Sequence, residues 1–320
     1  MPIPAADILR CPLTGEPLFE RNGALESSTE RYPILEGVPI LLNDQQSIFS
    51  AAEVGLSRPA RVSPSRRLVR RLLPSRTPEG DTAVRFARFI DQLRLRGDRP
   101  RVLIVGGGRL GQGTEELIRA SDLELIETDV YVGPRTMIVC DGHHLPFADG
   151  SLDGVVIQAV LEHVLDPPAV VREVHRVLKP GGLVYAETPF MQQVHEGAYD
   201  FTRWTESGHR RLFHMFEAID TGVSSGPAVA LLWSLCYFAR SLARRRTAQL
   251  VLEKLTVIAF LWLKPLDAAL VKRPAATDGA CGVYFLGRRA ETAIDDRNVI
   301  SAYRGTIGLP VRPARESDLS

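Results

Sequence analysis

The 320 residues carry a formal net charge of +1, with 45% hydrophobic and 24% charged side chains, an ordinary balance for a chain long enough to bury a large core. So small a net charge exerts no global pull on nucleic acid or an acidic polymer, and no nucleic-acid partner is expected. The four cysteines (Cys11, Cys140, Cys236, Cys281) form no paired spacing, and the amino-terminal MPIPAADILRCPLTGEP has no basic start leading into an apolar run. The expectation is a cytoplasmic protein with reduced thiols and no bound metal.

Residues 1–45 are rich in proline and glycine and end in YPILEGVPILL, which predicts a small β-rich unit with turns at Gly15–Pro17 and Glu36–Gly37. Residues 46–80 contain SRPARVSPSRRLVRRLLPSRTPEG, a proline-punctuated basic run that reads as a solvated linker. From 81 to 227 strands alternate with helices. Asp81 caps a predicted helix through VRFARFI (84–90) toward Leu95, and RVLIV (101–105) is a buried parallel strand closed by glycines. A helix from Thr114, strands at 123–129 and 153–160, an amphipathic helix at 167–178 and a strand at 182–189 follow. This succession predicts an α/β, doubly wound, mostly parallel sheet with right-handed crossovers. Residues 228–275 form an apolar helical insertion, 276–290 a final core strand, and 291–320 a polar tail.

The strand 101–105 runs into Gly106-Gly107-Gly108-Arg109-Leu110-Gly111-Gln112-Gly113 and then a helix. Gly106, Gly108 and Gly111 let the backbone turn tightly and approach a ligand, and the helix start offers N–H groups to its anionic part. About 20 residues on, at the end of the next strand, Asp129 can accept both hydroxyls of a ribose, with Glu127 as the alternate acid. The same loop and acid serve nicotinamide or flavin dinucleotides, so the residues alone leave the nucleotide open.

Three further runs, CDGHHLPF (140–147), SLDGVVIQAVLEHV (151–164) and RVLKPGG (176–182), together with the glycine loop, resemble the class I S-adenosylmethionine-dependent methyltransferases, and within them the type 11 group. The resemblance covers about residues 98–190. It implies a seven-stranded Rossmann-like sheet whose last strand, Gly282–Gly287, is inserted antiparallel, and S-adenosylmethionine as cofactor. It places Asp141 and Gly142 beside the adenine, with Asp141 accepting from the exocyclic amine and His143 next to the ring. Gln158 and Ala159 line the methionine end, and His163 takes a packing role at a helix start. The chain departs from the family pattern at Ile104, where an acid is usual, and at Leu110, where glycine is common; Leu152 replaces a usual phenylalanine before Asp153.

After the strand 182–189 comes PFMQQVHEGAYDFTRWT (189–205), a loop at the carboxyl end of a parallel strand, where such sheets bind ligands. It is similar to a segment of methyltransferases of glycan and cell-surface biosynthesis. His195 is the candidate base, because an unperturbed imidazole titrates near neutrality, and Asp200 either orients it or takes the proton itself. Glu196, Tyr199, Arg203 and Trp204 are candidate substrate contacts. The competing reading has Asp200 and Arg203 pair to hold the loop while His195 caps a turn.

Cys11-Pro12 with YPILEGVPILL (32–42) resembles small zinc-ribbon partners of methyltransferases. Thr14, Ser27 and Ser28 stand where that resemblance would put further cysteines, so a metal-free unit used for packing or partner contact is expected. The apolar segments 228–239 and 255–263, with Trp233, Trp262 and the Arg244–Arg246 cluster, are too short to span a bilayer. A hairpin at a membrane surface, a cover for the sheet and a homodimer contact all fit them. The leading expectation is an S-adenosylmethionine-dependent, O-directed methyltransferase acting on a small-molecule, saccharide or lipid-linked acceptor. The alternatives are an NAD-dependent oxidoreductase on the same loop and a non-catalytic binding protein with this fold.

Overall fold

The computed structural model describes residues 3–54, 81–108, 111 and 113–306. Most of the basic run predicted as a linker, the end of the tail, and Leu110 lie outside them.

The amino-terminal unit is an antiparallel meander of β1 (Phe19–Arg21), β2 (Ala24–Glu26), β3 (Arg31–Leu35) and β4 (Val38–Leu41). The positions compared with metal ligands close their turns by hydrogen bonds: Thr14 accepts from the Glu16 amide, and Glu16 accepts from the backbone and hydroxyl of Ser28. Cys11 is buried with its sulfur 3.3 Å from the Tyr32 hydroxyl. The unit is not a separate module. β4 lies parallel to a central strand, pairing Ile40 with Val139 and Leu41 with Cys140, so one sheet of eleven strands runs through both parts.

The central strands are β5 (Arg101–Val105), β6 (Glu124–Asp129), β7 (Ile138–Cys140), β8 (Leu152–Gln158), β9 (Leu178–Pro189), β10 (Phe216–Ser225) and β11 (Gly282–Arg289), in the spatial order β7-β6-β5-β8-β9-β11-β10. β5 to β9 pair in parallel where they neighbour one another; β11 lies antiparallel between β9 and β10, as the resemblance implied. Successive side chains of a strand face opposite ways, and the apolar runs here are buried on both faces. Leu103, Val105, Val155, Ile157, Val184 and Ala186 belong to one core layer; Val102, Ile104, Val156, Leu183 and Tyr185 belong to the other.

The second layer is covered by α1 (Thr82–Arg94), whose Phe86, Phe89, Ile90 and Leu93 recur at helical spacing and are buried. Asp81 stands at its start, but its side chain makes no capping bond, contrary to the expected cap. The short α2 (Glu115–Arg119) follows the glycine loop. The first layer is covered by α3 (Pro167–Val177), capped by Asp166 accepting from the Ala169 amide at 3.0 Å, and by α4 (Glu206–Leu212). No helix joins β6 to β7. Leu9, Leu25, Tyr32 and Leu41 of the amino-terminal unit enter that same core layer. Chain progression reverses between β5 and β8, and the crevice at the carboxyl ends of these strands is where sheets of this kind hold ligands.

The insertion comprises α5 (Pro227–Ser241) and α6 (Arg246–Ala259), packed together through Leu232, Cys236 and Val257, followed by a 3-10 turn at Leu261–Leu266. The second apolar segment, read from sequence as 255–263, thus spans the end of a longer helix and the start of the turn. No helix among the described residues is long and apolar enough to cross a membrane. The insertion is fastened to the sheet by Asp267, whose buried carboxylate accepts from the backbone amides of Gly226, Ala228 and Val229 at 2.9–3.1 Å and so satisfies the otherwise orphaned N–H groups opening α5. Asp267→Ala leaves these donors buried and unpaired. It is expected to lower stability by about 2 kcal/mol, read as a shift of the urea midpoint, with Asp267→Asn losing less because one acceptor oxygen remains.

Candidate active site

The glycine loop leaves β5 and passes between the ends of β6 and β8. Gly106 takes a φ of +75°, and a Cβ there would meet Val160 Cγ2 at 2.3 Å. A Cβ on Gly108 would lie 2.6 Å from Asp129 Oδ2, and one on Gly111 would lie 2.1 Å from Gln158 Oε1. The positive φ at Gly106 favours glycine, and at Gly108 and Gly111 a Cβ would push aside the ends of Asp129 and Gln158. Asp129 holds the turn directly, Oδ2 accepting from the Gly108 amide at 2.9 Å and Oδ1 from the Val130 amide at 2.8 Å. Glu127, the alternate acid, is buried beside Gly107 and paired with the Arg135 guanidinium through two contacts. A cavity of about 100 Å³ runs along the loop, walled by Gly106, Gly107, Gly111, Thr114, Glu127 and Gln158 among others.

Asp141 and Gly142 follow β7. Asp141 is buried; Oδ2 accepts from the Ser47 hydroxyl at 2.5 Å, and Oδ1 accepts from the backbone amide and Nδ1 of His143 at 3.0 and 2.6 Å. Burial by itself would raise this carboxyl, but the bonds from His143 and Ser47 outweigh it and hold it below its ordinary value. His143 is raised in turn, mainly by its bond to Asp141. Its Nε2 accepts from the Asp166 amide at 3.2 Å, which ties the pair to the start of α3. Ser47, from the described start of the segment 46–80, is a member of this site that the sequence reading did not find.

Gln158 and Ala159 end β8. Ala159 has a φ of +54°, a left-handed conformation that is uncommon for a residue with a side chain, and such backbone concentrates at functional sites. Its amide donates to the Glu187 carbonyl at 3.0 Å, while Gln158 Nε2 donates to the Glu187 carboxylate at 2.8 Å. Glu187 also receives Tyr185, Arg85 and Thr82, so β9 and α1 brace this end of the crevice. A second cavity of about 280 Å³ opens here, bounded by Gln158, Ala159, Glu162, Pro189, His195 and Trp233 among others. The two cavities share Gly111 and Gln158 in their walls.

His195 reaches the second cavity from the loop after β9. Its Nδ1 lies 3.3 Å from the Gln193 carbonyl and 3.4 Å from Asp200 Oδ2. Both neighbours only accept, so Nδ1 carries a proton, and in the neutral imidazole Nε2 is then the acceptor. That Nε2 stands 3.9 Å from Glu162 Oε1. His163 is arranged alike: Nδ1 faces the Tyr199 carbonyl at 2.7 Å and Nε2 lies 3.7 Å from the same carboxylate oxygen. Glu162 is almost wholly buried, its Oε2 has no hydrogen-bond partner among the described residues, and burial pushes its pKa up to about 8. Among the described residues this is the set of three His, Cys, Asp or Glu side chains whose donor atoms converge, all within 4.8 Å of one another.

The other residues expected at the substrate side are placed differently. Asp200 is buried against the Arg203 guanidinium and accepts from the His195 amide at 2.8 Å; burial would raise its carboxyl, but Arg203 holds it well below the usual range. It therefore anchors the loop and does not face the cavity. Arg203 spends its remaining donors on the carbonyls of Gln192, Gln193 and Thr202, and Trp204 packs against the main core. Glu196 is exposed, and Tyr199 is exposed with its ring stacked on Phe49 at 6.1 Å. None of Glu196, Tyr199, Arg203 and Trp204 borders the cavity; Gln192, Glu162 and Trp233 do. The signal for Glu162 was a carboxylate set inside the apolar run AVLEHV.

Residues 114–186 match the family model of a methyltransferase domain. A ubiquinone biosynthesis O-methyltransferase of Xanthomonas oryzae pv. oryzae (strain PXO99A) is 33% identical over 110 residues, 30% of this chain and 45% of that one. A ubiquinone/menaquinone biosynthesis C-methyltransferase of Cellvibrio japonicus (strain Ueda107) is 30% identical over 105 residues, 32% of this chain and 36% of that one. The chain thus spans less than half the length of these curated relatives. Among solved structures, phosphoethanolamine N-methyltransferase 2 of Haemonchus contortus in complex with S-adenosyl-L-methionine aligns with a TM-score of 0.40 and 16% identity over 64% of this chain and 53% of that one. Over residues 114–186 the chain is thus similar to a methyltransferase domain, set on a mostly parallel α/β sheet.

The Asp141–His143 pair links this site to stability. A histidine raised in the folded state contributes fully below its unfolded value, about 6.5, and loses that contribution as pH rises through the folded value. The stability advantage of the wild type over His143→Gln is therefore expected to be largest on the acid side of neutrality and to shrink as the solution becomes alkaline. Denaturant midpoints of both proteins across that range measure it.

Proposed function

We propose that this chain transfers a methyl group from S-adenosylmethionine to a hydroxyl of an acceptor held in the cavity beside His195, the acceptor being a saccharide, a lipid-linked molecule or another small hydroxylated compound. The observation that carries the reading is the pair of cavities meeting at Gly111 and Gln158, one along the glycine loop and the other walled by His195. The cradle fits the cofactor: the loop packs its glycines closely against the side chains of Asp129 and Gln158, and Asp129 stands at its edge. Asp129 would hold the ribose end, the Asp141–Gly142 turn the adenine, and Gln158 with Ala159 the methionine end. When bound, S-adenosylmethionine supplies a methyl on a positively charged sulfur together with its own leaving group.

What remains for the chain is to align the acceptor and take its proton. His195 Nε2 carries the lone pair for that, and the acceptor-only neighbours of Nδ1 stabilise the imidazolium that forms. Asp200, clamped by Arg203 and bonded to the His195 amide, positions the imidazole and does not exchange protons itself.

Calorimetric titration with S-adenosylhomocysteine and, separately, NAD tests the cofactor. S-adenosylhomocysteine is expected to bind and NAD not; Asp129→Ala should weaken that binding at least about tenfold, a loss of ~1.4 kcal/mol. Binding of NAD alone would favour an oxidoreductase, and binding of neither would favour a protein that keeps the fold without the reaction. Transfer of labelled methyl to hydroxylated glycans and lipid extracts then tests the base. His195→Asn is expected to lower kcat by about a hundredfold or more with little change in KM. Wild-type activity that vanishes on chelation and returns with a divalent cation would instead give His195 and Glu162 to a metal.

A further inference from the structure

The insertion turns a large apolar surface to solvent. Ten of the 22 large hydrophobic side chains exposed among the described residues lie between Leu231 and Leu266. On α5, Leu231, Phe238 and Leu242 recur at i, i+7 and i+11, a single stripe. Val251, Leu255 and Ile258 of α6 and Trp262 just beyond it recur at i, i+4, i+7 and i+11, with Trp262 60% exposed. An ordinary soluble surface does not concentrate apolar side chains in this way, and such patches mark a docking face.

The charges around the stripes say what docks. Residues 228–273 hold eight cationic side chains (Arg240, Lys254, Lys264, Lys272, Arg273 and the run Arg244–Arg246) and two carboxylates, Glu253 and Asp267. Both carboxylates are buried and used internally, Glu253 facing Arg240 at 3.5 Å and Asp267 capping α5. The surface of the insertion is therefore apolar and cationic, with no exposed carboxylate in that span. The 14 residues of α6 are too short to span a bilayer.

We propose that α5, α6 and the turn after them lie on an anionic phospholipid surface, the apolar stripes at the boundary between headgroups and acyl chains and the arginines and lysines against the lipid phosphates. An exposed indole on an insertion rich in cationic side chains suits that boundary, where an amphipathic ring has one side apolar and the other wet. The same helix α5 carries Trp233 in the wall of the cavity beside His195. Docking there sets the cavity next to the membrane, where a lipid-linked acceptor can enter; this last step rests on the proposed methyltransferase reading, whereas membrane binding itself does not.

The test is co-sedimentation of the whole protein with vesicles of phosphatidylcholine alone and of phosphatidylcholine mixed with phosphatidylglycerol, alongside S-adenosylhomocysteine titration of each variant. The wild type is expected to bind the mixed vesicles and leave the neutral ones. The exposed double substitution Ile258→Ser with Trp262→Ser should weaken binding about tenfold, and neutralising Arg244, Arg245 and Arg246 to glutamine on the order of a hundredfold. Unchanged S-adenosylhomocysteine binding in both variants shows that they are folded. Failure to bind mixed vesicles, equal binding to neutral ones, or binding that ignores the Ile258–Trp262 change overturns the proposal. So does concentration-dependent self-association that the double substitution abolishes, which would make the face a contact between copies of the chain. Vesicle binding without S-adenosylhomocysteine binding would instead sink the methyltransferase reading and leave the membrane surface standing.

Discussion

The site depends on one close approach, the passage of the glycine loop between the ends of β6 and β8. Gly108 lies against Asp129 and Gly111 against Gln158 at separations where a Cβ would displace the ends of those side chains. That fit requires β5 to lie between β6 and β8 in parallel register, which in turn requires apolar residues on both faces of β5. The loop fixes Asp129 by hydrogen bonding its own backbone to the carboxylate, and it forms a wall of both cavities at Gly111. Sheet packing, backbone turn and ligand crevice are thus one constraint seen at three scales.

The parallel core was legible because its strands are short apolar runs bounded by glycine and proline, and α1 and α3 because their apolar residues recur at helical spacing. β10 was not. It is an edge strand, half-exposed, with register shifts after Ala218 and Val223 that break the two-residue alternation a sequence reading relies on. The three residues of β7 are too few to show any period. The joining of β4 to β7 was invisible for a different cause: parallel pairing between residues about a hundred positions apart leaves no local mark. It matters, because it brings Ser47 onto Asp141.

The substrate side shows where side-chain chemistry alone misleads. His195, Glu196, Tyr199, Asp200, Arg203 and Trp204 are all suited to a ligand, yet the fold divides them by pairing. A carboxylate that meets a guanidinium within its own loop is stabilised in its charged form and consumed there, which is the fate of Asp200 with Arg203. Glu162 has the opposite fate. Buried without a cationic partner in contact, it favours its proton, and the Nε2 atoms of two imidazoles face it. No spacing in the sequence distinguishes these carboxylates; the difference is which cations the loop after β9 brings within reach.

Helix α5 unites the site with the surface beyond it. Its sequence, PAVALLWSLCYFARS, is apolar on nearly every side, a pattern that in a soluble protein belongs to a helix buried all round. Here only part is buried. Val229, Leu232, Trp233 and Cys236 pack inward, while Leu231, Phe238 and Leu242 face out. The inward side needs no further account, since it carries Trp233 to the cavity and Leu232 and Cys236 to α6. The outward side does, because exposed leucine and phenylalanine add nothing to the folded state in water. A helix selected against two apolar environments, the core on one side and the proposed lipid surface on the other, has the composition found here, whereas a helix selected only to cover the sheet would carry polar residues on its outer face.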